Sequence, residues 1–282
     1  MAHPVQFVEL PWSGRHVRIE VQHVMAVSPR VAAPTFVFLH EGLGSVAMWR
    51  DFPQRLCDAA GAHGIVYSRP GYGRSTPRER GERWGLDFMH RQAHELLPAL
   101  LDELRVDRQA QPLWLIGHSD GGSIALLHAA RYPQQVSGLV VMAPHLFVED
   151  VSIASIQQSR HHYERTDLRQ RLARYHDDPD SAFWGWNDIW LHPPFAHWNI
   201  EAEIGGISCP LLAMQGIDDE YGTLQQIHAI ARRVPHTVLV ELPQCGHSPH
   251  RDQPERVIDE VTRFVDAHAA TTRSLPAHQP AA

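Results

Sequence analysis

The sequence contains no lysine, so all 25 of its Lys and Arg side chains are arginines. The formal net charge is −7, and no basic stripe or block of like charge appears anywhere in the 282 residues. Proteins that bind nucleic acid usually carry such a patch, because contacts with phosphates supply much of their affinity. We therefore predict that nucleic acid is not a partner.

Cysteine is also scarce, and the three present are Cys57, Cys209 and Cys245. Their odd number and their spacing fit neither a CxxC motif nor a zinc site, which favours reduced thiols and a cytoplasmic protein. No run approaches ~18 uninterrupted apolar residues, the length needed to cross a membrane. Met1–Leu10 also lacks a basic segment followed by an apolar one. We therefore expect neither a membrane-spanning helix nor a secretory signal.

Short apolar runs alternate with longer helical patterns along most of the chain. The apolar runs are 35–39, 65–67, 113–116, 139–142, 211–214 and 238–240, and the helical patterns lie near 46–60, 87–105, 121–132, 223–233 and 254–268. Apolar strands separated by helices are typical of a parallel sheet covered on both faces. Before them, Val5–Leu10 and His16–Val21 alternate on either side of a Pro-Trp-Ser-Gly turn and predict an antiparallel hairpin. The pattern predicts an α/β fold.

Residues 145–205 interrupt this alternation, because they carry the pattern of about two helices and no strong strand. Four tryptophans and a Pro-Pro break fall within them. We interpret this stretch as a helical cap inserted into an α/β core made of residues 1–144 and 206–270. Residues 271–282 are rich in Ala, Pro and Thr, and we predict that they are disordered.

Residues 117–121 read Gly-His-Ser-Asp-Gly, which is a G-x-S-x-G motif. The motif follows the predicted strand 113–116 and opens the predicted helix 121–132. This context is the one that a nucleophile elbow requires, since the sharp turn projects the serine hydroxyl at the top of the sheet. A plain glycine-rich turn is the alternative interpretation. The context makes Ser119 our candidate nucleophile.

A serine hydroxyl is a weak nucleophile until a base accepts its proton. Residues 245–249 read Cys-Gly-His-Ser-Pro and follow the predicted strand 238–240. This places His247 at the edge of the sheet where Ser119 also lies. His250 is the nearest rival, but its position fits the role less well.

The acid that orients the base should follow the predicted strand 211–214, in the chain order Ser, acid, His. Residues 215–220 read Gln-Gly-Ile-Asp-Asp-Glu and offer three carboxylates there. The acid accepts a hydrogen bond from the imidazole and fixes its tautomer. Spacing alone leaves Asp218 and Asp219 both open for this role.

An oxyanion hole needs two backbone N–H groups. One should come from Asp120, which follows the candidate nucleophile. The other should come from residues 40–45, which read His-Glu-Gly-Leu-Gly-Ser after the strand 35–39. The two glycines let this loop approach a substrate closely. An ordinary turn capped by Ser45 would look the same in the sequence.

Together these motifs resemble the α/β-hydrolase superfamily, specifically its capped single-domain serine hydrolases, which include esterases, lactonases and C–C bond hydrolases. The resemblance spans roughly residues 15–268 and implies a mostly parallel central sheet with helices on both faces and an inserted helical cap. In such enzymes the acid usually lies three residues after the loop glycine, which matches Asp219. The first oxyanion amide usually comes from the second residue after the loop histidine, which matches Gly42. The Gly-His-x-Pro motif of these enzymes matches residues 246–249.

The sequence departs from the pattern of these relatives at several positions. The loop reads His-Glu-Gly where His-Gly is usual, which leaves Gly42 and Leu43 both open as the amide donor. Ser68 stands where an aspartate is common. Residues 117–119 read Gly-His-Ser where many C–C hydrolases have Gly-Asn-Ser, and Ser248 replaces a tryptophan that often follows their catalytic histidine. These differences make a C–C hydrolase less favoured.

The resemblance implies hydrolysis of a carboxylic ester or lactone through an acyl-enzyme. Ser119 would be the nucleophile, His247 the base and Asp219 the acid, while the N–H groups of Gly42 and Asp120 would bind the oxyanion. A thioester, C–C or amide hydrolase would use the same triad. Outside this class, a ligand-binding protein with slow turnover or a non-hydrolytic lyase or perhydrolase remains possible on the same scaffold.

We expect a small-molecule acyl substrate, and no cofactor, metal or membrane partner; the sequence does not predict an oligomeric state. His94–Glu95 lacks the second histidine of an H-E-x-x-H metal site, and residues 69–75 lack the third glycine of a dinucleotide fingerprint. Three tryptophans of the predicted cap, Trp184, Trp186 and Trp190, are candidates for substrate binding. Packing within the cap is the alternative for each of them.

Overall fold

The computed structural model describes residues 5–108 and 111–269 and contains, within these ranges, an eight-stranded sheet. The strands are β1 (Val5–Trp12), β2 (Arg15–Met25), β3 (Thr35–Leu39), β4 (His63–Tyr67), β5 (Leu113–His118), β6 (Gly138–Met142), β7 (Leu211–Gly216) and β8 (Val238–Leu242). Each strand predicted from the sequence is present. The α/β fold class is confirmed.

The strand order across the sheet is β1-β2-β4-β3-β5-β6-β7-β8. The hairpin of β1 and β2 is antiparallel, and β2 is also antiparallel to β4. Strands β3 to β8 run parallel to one another. The carboxyl ends of these strands therefore lie at one edge, which is where ligands bind in open α/β sheets.

Alternate residues of each central strand feed two separate hydrophobic layers, because side chains point to opposite faces along a strand. On β3, Phe36 and Phe38 belong to one layer, whereas Val37 and Leu39 belong to the other. These strands are buried on both faces, so their sequences are apolar throughout rather than alternating.

Ten α-helices occur among the described residues. They are α1 (Phe52–Ala60), α2 (Phe88–Arg91), α3 (Leu97–Glu103), α4 (Asp120–Arg131), α5 (Asp150–Arg165), α6 (Leu168–Leu172), α7 (Pro179–Trp190), α8 (Gln225–Arg233), α9 (Pro249–Asp252) and α10 (Pro254–Ala269). Helices α1 and α10 pack together on the Phe36 face. A π-helical turn, Gln92–Leu96, joins α2 to α3, so the helix predicted near 87–105 is present but irregular.

The single helix predicted over 46–60 is wrong. A 3₁₀ turn, Val46–Trp49, is followed by a break before α1 begins. Arg50 at the break has φ 54° and ψ −128°, which cannot continue the hydrogen-bond ladder of a helix. Pro53 then lies in the first turn of α1, where its missing N–H costs nothing.

Between β6 and β7 the chain forms α5, α6, α7 and two 3₁₀ turns, more helices than the two that the sequence pattern indicated. An isolated bridge pairs Phe147 with Asn199, and the N–H of Ile200 donates to the carbonyl of Leu146 at 2.8 Å. The two ends of this stretch are thus held side by side, as expected for an insertion. We call residues 145–205 the cap segment; its division from the core stays a prediction.

The predicted disordered tail, residues 271–282, lies outside the described residues. In the part of the chain that the structure describes, no helix is long and apolar enough to cross a membrane. All three cysteines are buried free thiols. The cytoplasmic location stays a prediction.

Candidate active site

Ser119 lies in a sharp turn between β5 and α4, with φ 51° and ψ −123°. A non-glycine residue in this region of backbone space is strained. The turn also demands glycine on both sides of the serine. A Cβ on Gly117 would lie 2.5 Å from the carbonyl oxygen of Gly121, and one on Gly121 would lie 2.0 Å from that of Leu39. These close approaches explain why the motif 117–121 needs its small residues.

The structure brings Ser119, His247 and Asp219 into one hydrogen-bonded chain. The Nδ1–H of His247 donates to Oδ1 of Asp219 at 2.8 Å. With that proton on Nδ1, the neutral ring presents Nε2 as an acceptor, and the Ser119 hydroxyl lies 2.9 Å from it. This geometry fits a base that removes the serine proton and an acid that fixes the tautomer of the base.

Of the two adjacent aspartates, only Asp219 faces the imidazole. Its Oδ1 also accepts from the N–H groups of Tyr221, at 2.8 Å, and Gly222, at 3.2 Å, and its Oδ2 accepts from the side chain of Gln215 at 3.0 Å. Asp218 is exposed on the same loop. The four donors fix the orientation of the Asp219 carboxylate, which the spacing of the sequence could not reveal.

The charges of this pair oppose the effect of burial. Burial alone would raise the pKa of Asp219, but the hydrogen bond and charge of His247 lower it below its ordinary value. Burial would likewise lower the pKa of His247, yet the hydrogen bond and charge of Asp219 raise it above 6.5. The imidazolium that forms when His247 accepts a proton is thus stabilised by its partner.

The carbonyl group of Glu41 fixes the loop after β3 by accepting three hydrogen bonds. The carbonyl oxygen of Glu41 accepts from Nδ1 of His40 at 2.7 Å, from the guanidinium of Arg69 at 2.7 Å, and from the N–H of Gly44 at 3.1 Å. In a planar trans peptide the N–H points opposite to the C=O. The N–H of Gly42 therefore points away from these donors, which favours Gly42 over Leu43 as the amide donor.

Among the described residues, no hydrogen bond engages the backbone N–H of Gly42 or Asp120. Both residues line the cavity that contains Ser119. Two free N–H groups beside a nucleophile are what an oxyanion hole requires.

A buried polar cluster links the elbow to the cap segment. Nε1 of Trp190, in α7, donates to Oδ1 of Asp120 at 3.2 Å. The other carboxylate oxygen of Asp120 lies 3.9 Å from the guanidinium of Arg69, and both side chains are 1% exposed. Burial raises the pKa of Asp120, while Arg69 opposes that rise. The residue that follows the candidate nucleophile is therefore held from two directions.

A cavity of about 300 Å³ opens above Ser119. Its apolar wall comes mostly from the cap segment and includes Ile156, Leu168, Leu172, Trp186 and Trp190. The indole of Trp186 lies against Gly42 so closely that a Cβ there would be 2.2 Å from its Cδ1 atom. The floor of the cavity is polar and its roof is apolar.

Among the described residues, Trp184 is not part of the wall of this cavity, and its role in substrate binding stays a prediction. Its ring packs against Tyr163 and Phe183, and the guanidinium of Arg160 lies 5.2 Å from its centroid. At about 100° per residue, positions 184 and 186 point to nearly opposite sides of α7. Trp186 and Trp190 are four residues apart and share the face that lines the cavity.

Three residues of the site were not identified from the sequence, namely Arg69, Glu41 and His118. Arg69 is the second residue after β4, at the carboxyl edge of the sheet, and this position was the only available signal. Glu41 and His118 were noticed only as departures from the pattern of related enzymes. Within residues 5–108 and 111–269, no group of three or more His, Cys, Asp or Glu side chains could hold a metal ion.

The sequence of the chain matches the Alpha/beta hydrolase family over residues 36–260. It is 24% identical over 240 residues to the 2-hydroxy-6-oxo-6-phenylhexa-2,4-dienoate hydrolase of Burkholderia cepacia, covering 75% of the chain and 80% of that protein. It is 25% identical over 249 residues to the 2-succinyl-6-hydroxy-2,4-cyclohexadiene-1-carboxylate synthase of Enterobacter sp. (strain 638), covering 79% of the chain and 88% of that protein.

Among solved structures, the chain is similar to the enol-lactonase from Burkholderia xenovorans LB400, with a TM-score of 0.70. The match covers 92% of the chain and 100% of the lactonase, at 16% sequence identity. This likeness concerns the fold.

Proposed function

The chain belongs to the alpha/beta hydrolase family, and we propose that it is a serine hydrolase that cleaves a neutral carboxylic ester or lactone. The observation that carries this proposal is the hydrogen-bonded chain Asp219–His247–Ser119 at the floor of the cavity. The two free N–H groups beside it, of Gly42 and Asp120, add the second element that acyl transfer needs.

In the proposed reaction, Oγ of Ser119 attacks the acyl carbon while Nε2 of His247 accepts the hydroxyl proton. The negative charge that develops on the carbonyl oxygen is bound by the N–H groups of Gly42 and Asp120. The imidazolium of His247 then protonates the departing alkoxide and leaves an acyl-enzyme. Water attacks the acyl carbon with His247 again as base, which releases the acid and restores Ser119.

The charges on the cavity wall favour a neutral substrate. Among the described residues that line the cavity, Glu41, Asp120 and Glu220 carry carboxyl groups, and Arg251 carries the only guanidinium. An anionic substrate would meet more negative than positive groups. The apolar side chains of the cap segment suit an uncharged acyl chain or ring, since apolar walls bind in proportion to the area they bury.

Cleavage or rearrangement at a C–C bond is the second candidate, because two curated relatives carry the names of a dienoate hydrolase and of a carboxylate synthase. Both names describe carboxylates. The excess of carboxyl groups around this cavity weighs against such substrates and places this candidate second. Thioesters and amides remain further substrates for the same triad.

The test is a substrate panel with the Ser119→Ala variant. Purified protein is assayed with neutral esters of short and long acyl chains, a lactone, a thioester and an anionic dienoate, and free acid is measured. We expect the wild type to hydrolyse neutral esters or lactones and to be labelled by a fluorophosphonate. Ser119→Ala should abolish both the turnover and the labelling.

Ser248→Ala is the matched control, because Ser248 lines the same cavity and adjoins His247. This variant should still be labelled. Labelling that persists in Ser119→Ala would refute the nucleophile. Turnover of the dienoate alone would favour the second candidate, and absence of any turnover would favour a ligand-binding protein.

A further inference from the structure

Two positions at which the sequence departs from related enzymes face each other in the fold. Glu41 belongs to the loop after β3, and His118 ends β5, directly before Ser119. Oε2 of Glu41 lies 3.5 Å from Nδ1 of His118. The His118 side chain is 1% exposed, while that of Glu41 is 18% exposed and reaches the cavity wall. Neither residue has a role in the reaction described above.

The other nitrogen of His118 contacts the main chain of the proposed base. Nε2–H of His118 donates to the backbone carbonyl of His247 at 2.7 Å. On the other side of the same residue, the N–H of His247 donates to Oε2 of Glu220 at 3.1 Å. The backbone of His247 is thus held at its N–H by an exposed side chain and at its C=O by a buried one.

The position of hydrogens on His118 follows from its partners. A carbonyl oxygen only accepts, so Nε2 must carry a hydrogen. If the ring were neutral, the lone pair of Nδ1 would face a carboxylate oxygen, which is repulsive. With Glu41 ionised, the contact is attractive only when Nδ1 also carries a hydrogen. The remaining rings around His118 are those of Trp49, His247 and His250, and they lie at 4.7–6.5 Å between centroids.

The state of Glu41 agrees with this geometry. Burial alone would raise the pKa of its carboxyl, but the facing His118 lowers it well below the usual range. A bare carboxylate next to Gly42 would oppose the negative charge of the oxyanion. A cation on His118 offsets the negative charge of the Glu41 carboxylate.

We propose that Glu41 and His118 form a positioning pair for His247, in which the Glu41 carboxylate faces Nδ1 of His118 and His118 holds the main chain of the base through its Nε2–H. The pair connects three of the loops that carry the proposed reaction, namely the loop after β3, the elbow, and the loop before α9. Charge-assisted hydrogen bonds in a buried site are stronger than neutral ones, which suits the task. This inference rests on the proposed function of His247.

The first measurement is the protonation of His118. Protein labelled with ¹⁵N in its histidine rings is examined at neutral pH, and the His118 signals are assigned among the 21 histidines by their loss in His118→Gln. We expect both ring nitrogens to carry hydrogen in the wild type, but only Nε2 in Glu41→Gln. Glu220→Gln is the matched control, because it also removes a carboxylate beside His247 and should leave the His118 ring unchanged.

The second measurement is kinetic. His118→Leu should lower kcat about 10- to 100-fold, the loss expected for a buried charge-assisted hydrogen bond, with KM changed less than about 3-fold. His118→Gln keeps an N–H donor near the position of Nε2, and it should retain kcat to within about 5-fold. A residue that only filled space would show the same loss in both variants.

A His118 ring with a single hydrogen in the wild type would overturn the pair, as would a folded His118→Leu that retains its kcat. If His118→Leu does not fold, the ¹⁵N spectrum of the wild type is sufficient to test the pair. The spectrum requires no turnover, and it should be the same in Ser119→Ala. Failure of the pair can therefore be told apart from failure of the proposed function.

Discussion

The floor and the roof of the cavity are built in different ways. The floor consists of loops at the carboxyl edge of the sheet, where Ser119, His247 and Asp219 are each fixed by hydrogen bonds of 2.8–3.2 Å. The roof is the face of α7 that carries Trp186 and Trp190, together with apolar residues of α5 and α6. Polar bonds specify the floor by direction, whereas apolar contacts specify the roof mainly by shape.

This difference predicts that the floor and the roof affect different kinetic properties. Changes in the floor should alter the rate with every substrate, because they act on groups that take part in the proposed chemistry. Changes in the roof should alter the choice among substrates. The hydrogen bond from Trp190 to Asp120 joins the roof to the elbow, and Ser152 of α5 joins the roof to the loop of Asp219 by donating to the carbonyl of Tyr221 at 2.5 Å.

The largest effect is expected from Asp219→Asn, in the floor. The amide would favour the wrong tautomer of His247, so kcat should fall about 10³- to 10⁴-fold. Asp218→Asn is the matched control, because Asp218 is exposed on the same loop, and its kcat should change less than about 3-fold. Steady-state kinetics with a neutral ester measure both. Equal losses would mean that the acid has been misassigned.

An intermediate effect is expected in the pH profile. His247 must be neutral to accept the proton of Ser119, so kcat/KM for a non-ionising ester should rise with pH. Since Asp219 raises the pKa of His247 above 6.5, the midpoint of the rise should lie above 6.5. In Asp219→Asn the residual kcat/KM should still rise with pH, but the midpoint of the rise should lie at a lower pH than in the wild type. A midpoint that stays in place would show that Asp219 does not control the charge of His247.

The smallest effect is expected from the roof. Trp186→Ala should change the preference between a short and a long acyl ester by more than ~3-fold, about 0.7 kcal/mol, without moving the pH midpoint. Trp184→Ala removes an indole from the same helix outside the cavity, and its preference should stay within ~2-fold. Competition assays with mixed esters provide the ratio. Equal shifts in both variants would contradict the difference between the two faces of α7.

The floor could be predicted from the sequence far better than the roof. Ser119 and His247 lie at fixed offsets from apolar strands, and the topology of a parallel sheet brings strand ends together. The N–H of Gly42 could not be chosen over that of Leu43, because its direction depends on a contact with Arg69, which follows a different strand and is distant in the sequence. The pairing of Glu41 with His118 is likewise a contact between distant segments.

The roof was predicted only as helical. Helical periodicity shows which residues share a face, but it does not show which face meets the cavity, and so Trp184 was grouped with Trp186 and Trp190. The break at Arg50 was missed for a related reason. Arg50 has a positive φ of 54° although it is not a glycine, so the sequence does not reveal the turn.

The backbone of Ser119 has a consequence for how this chain can evolve. Holding a serine at φ 51° costs of the order of 1–3 kcal/mol, and glycine would adopt the same turn with less strain. Selection for stability would therefore favour glycine at position 119, whereas the proposed reaction requires serine there. A descendant that no longer needed its nucleophile would be expected to drift towards glycine at position 119. If Ser119 is the nucleophile, as proposed, the strained serine is retained for the reaction and not for stability.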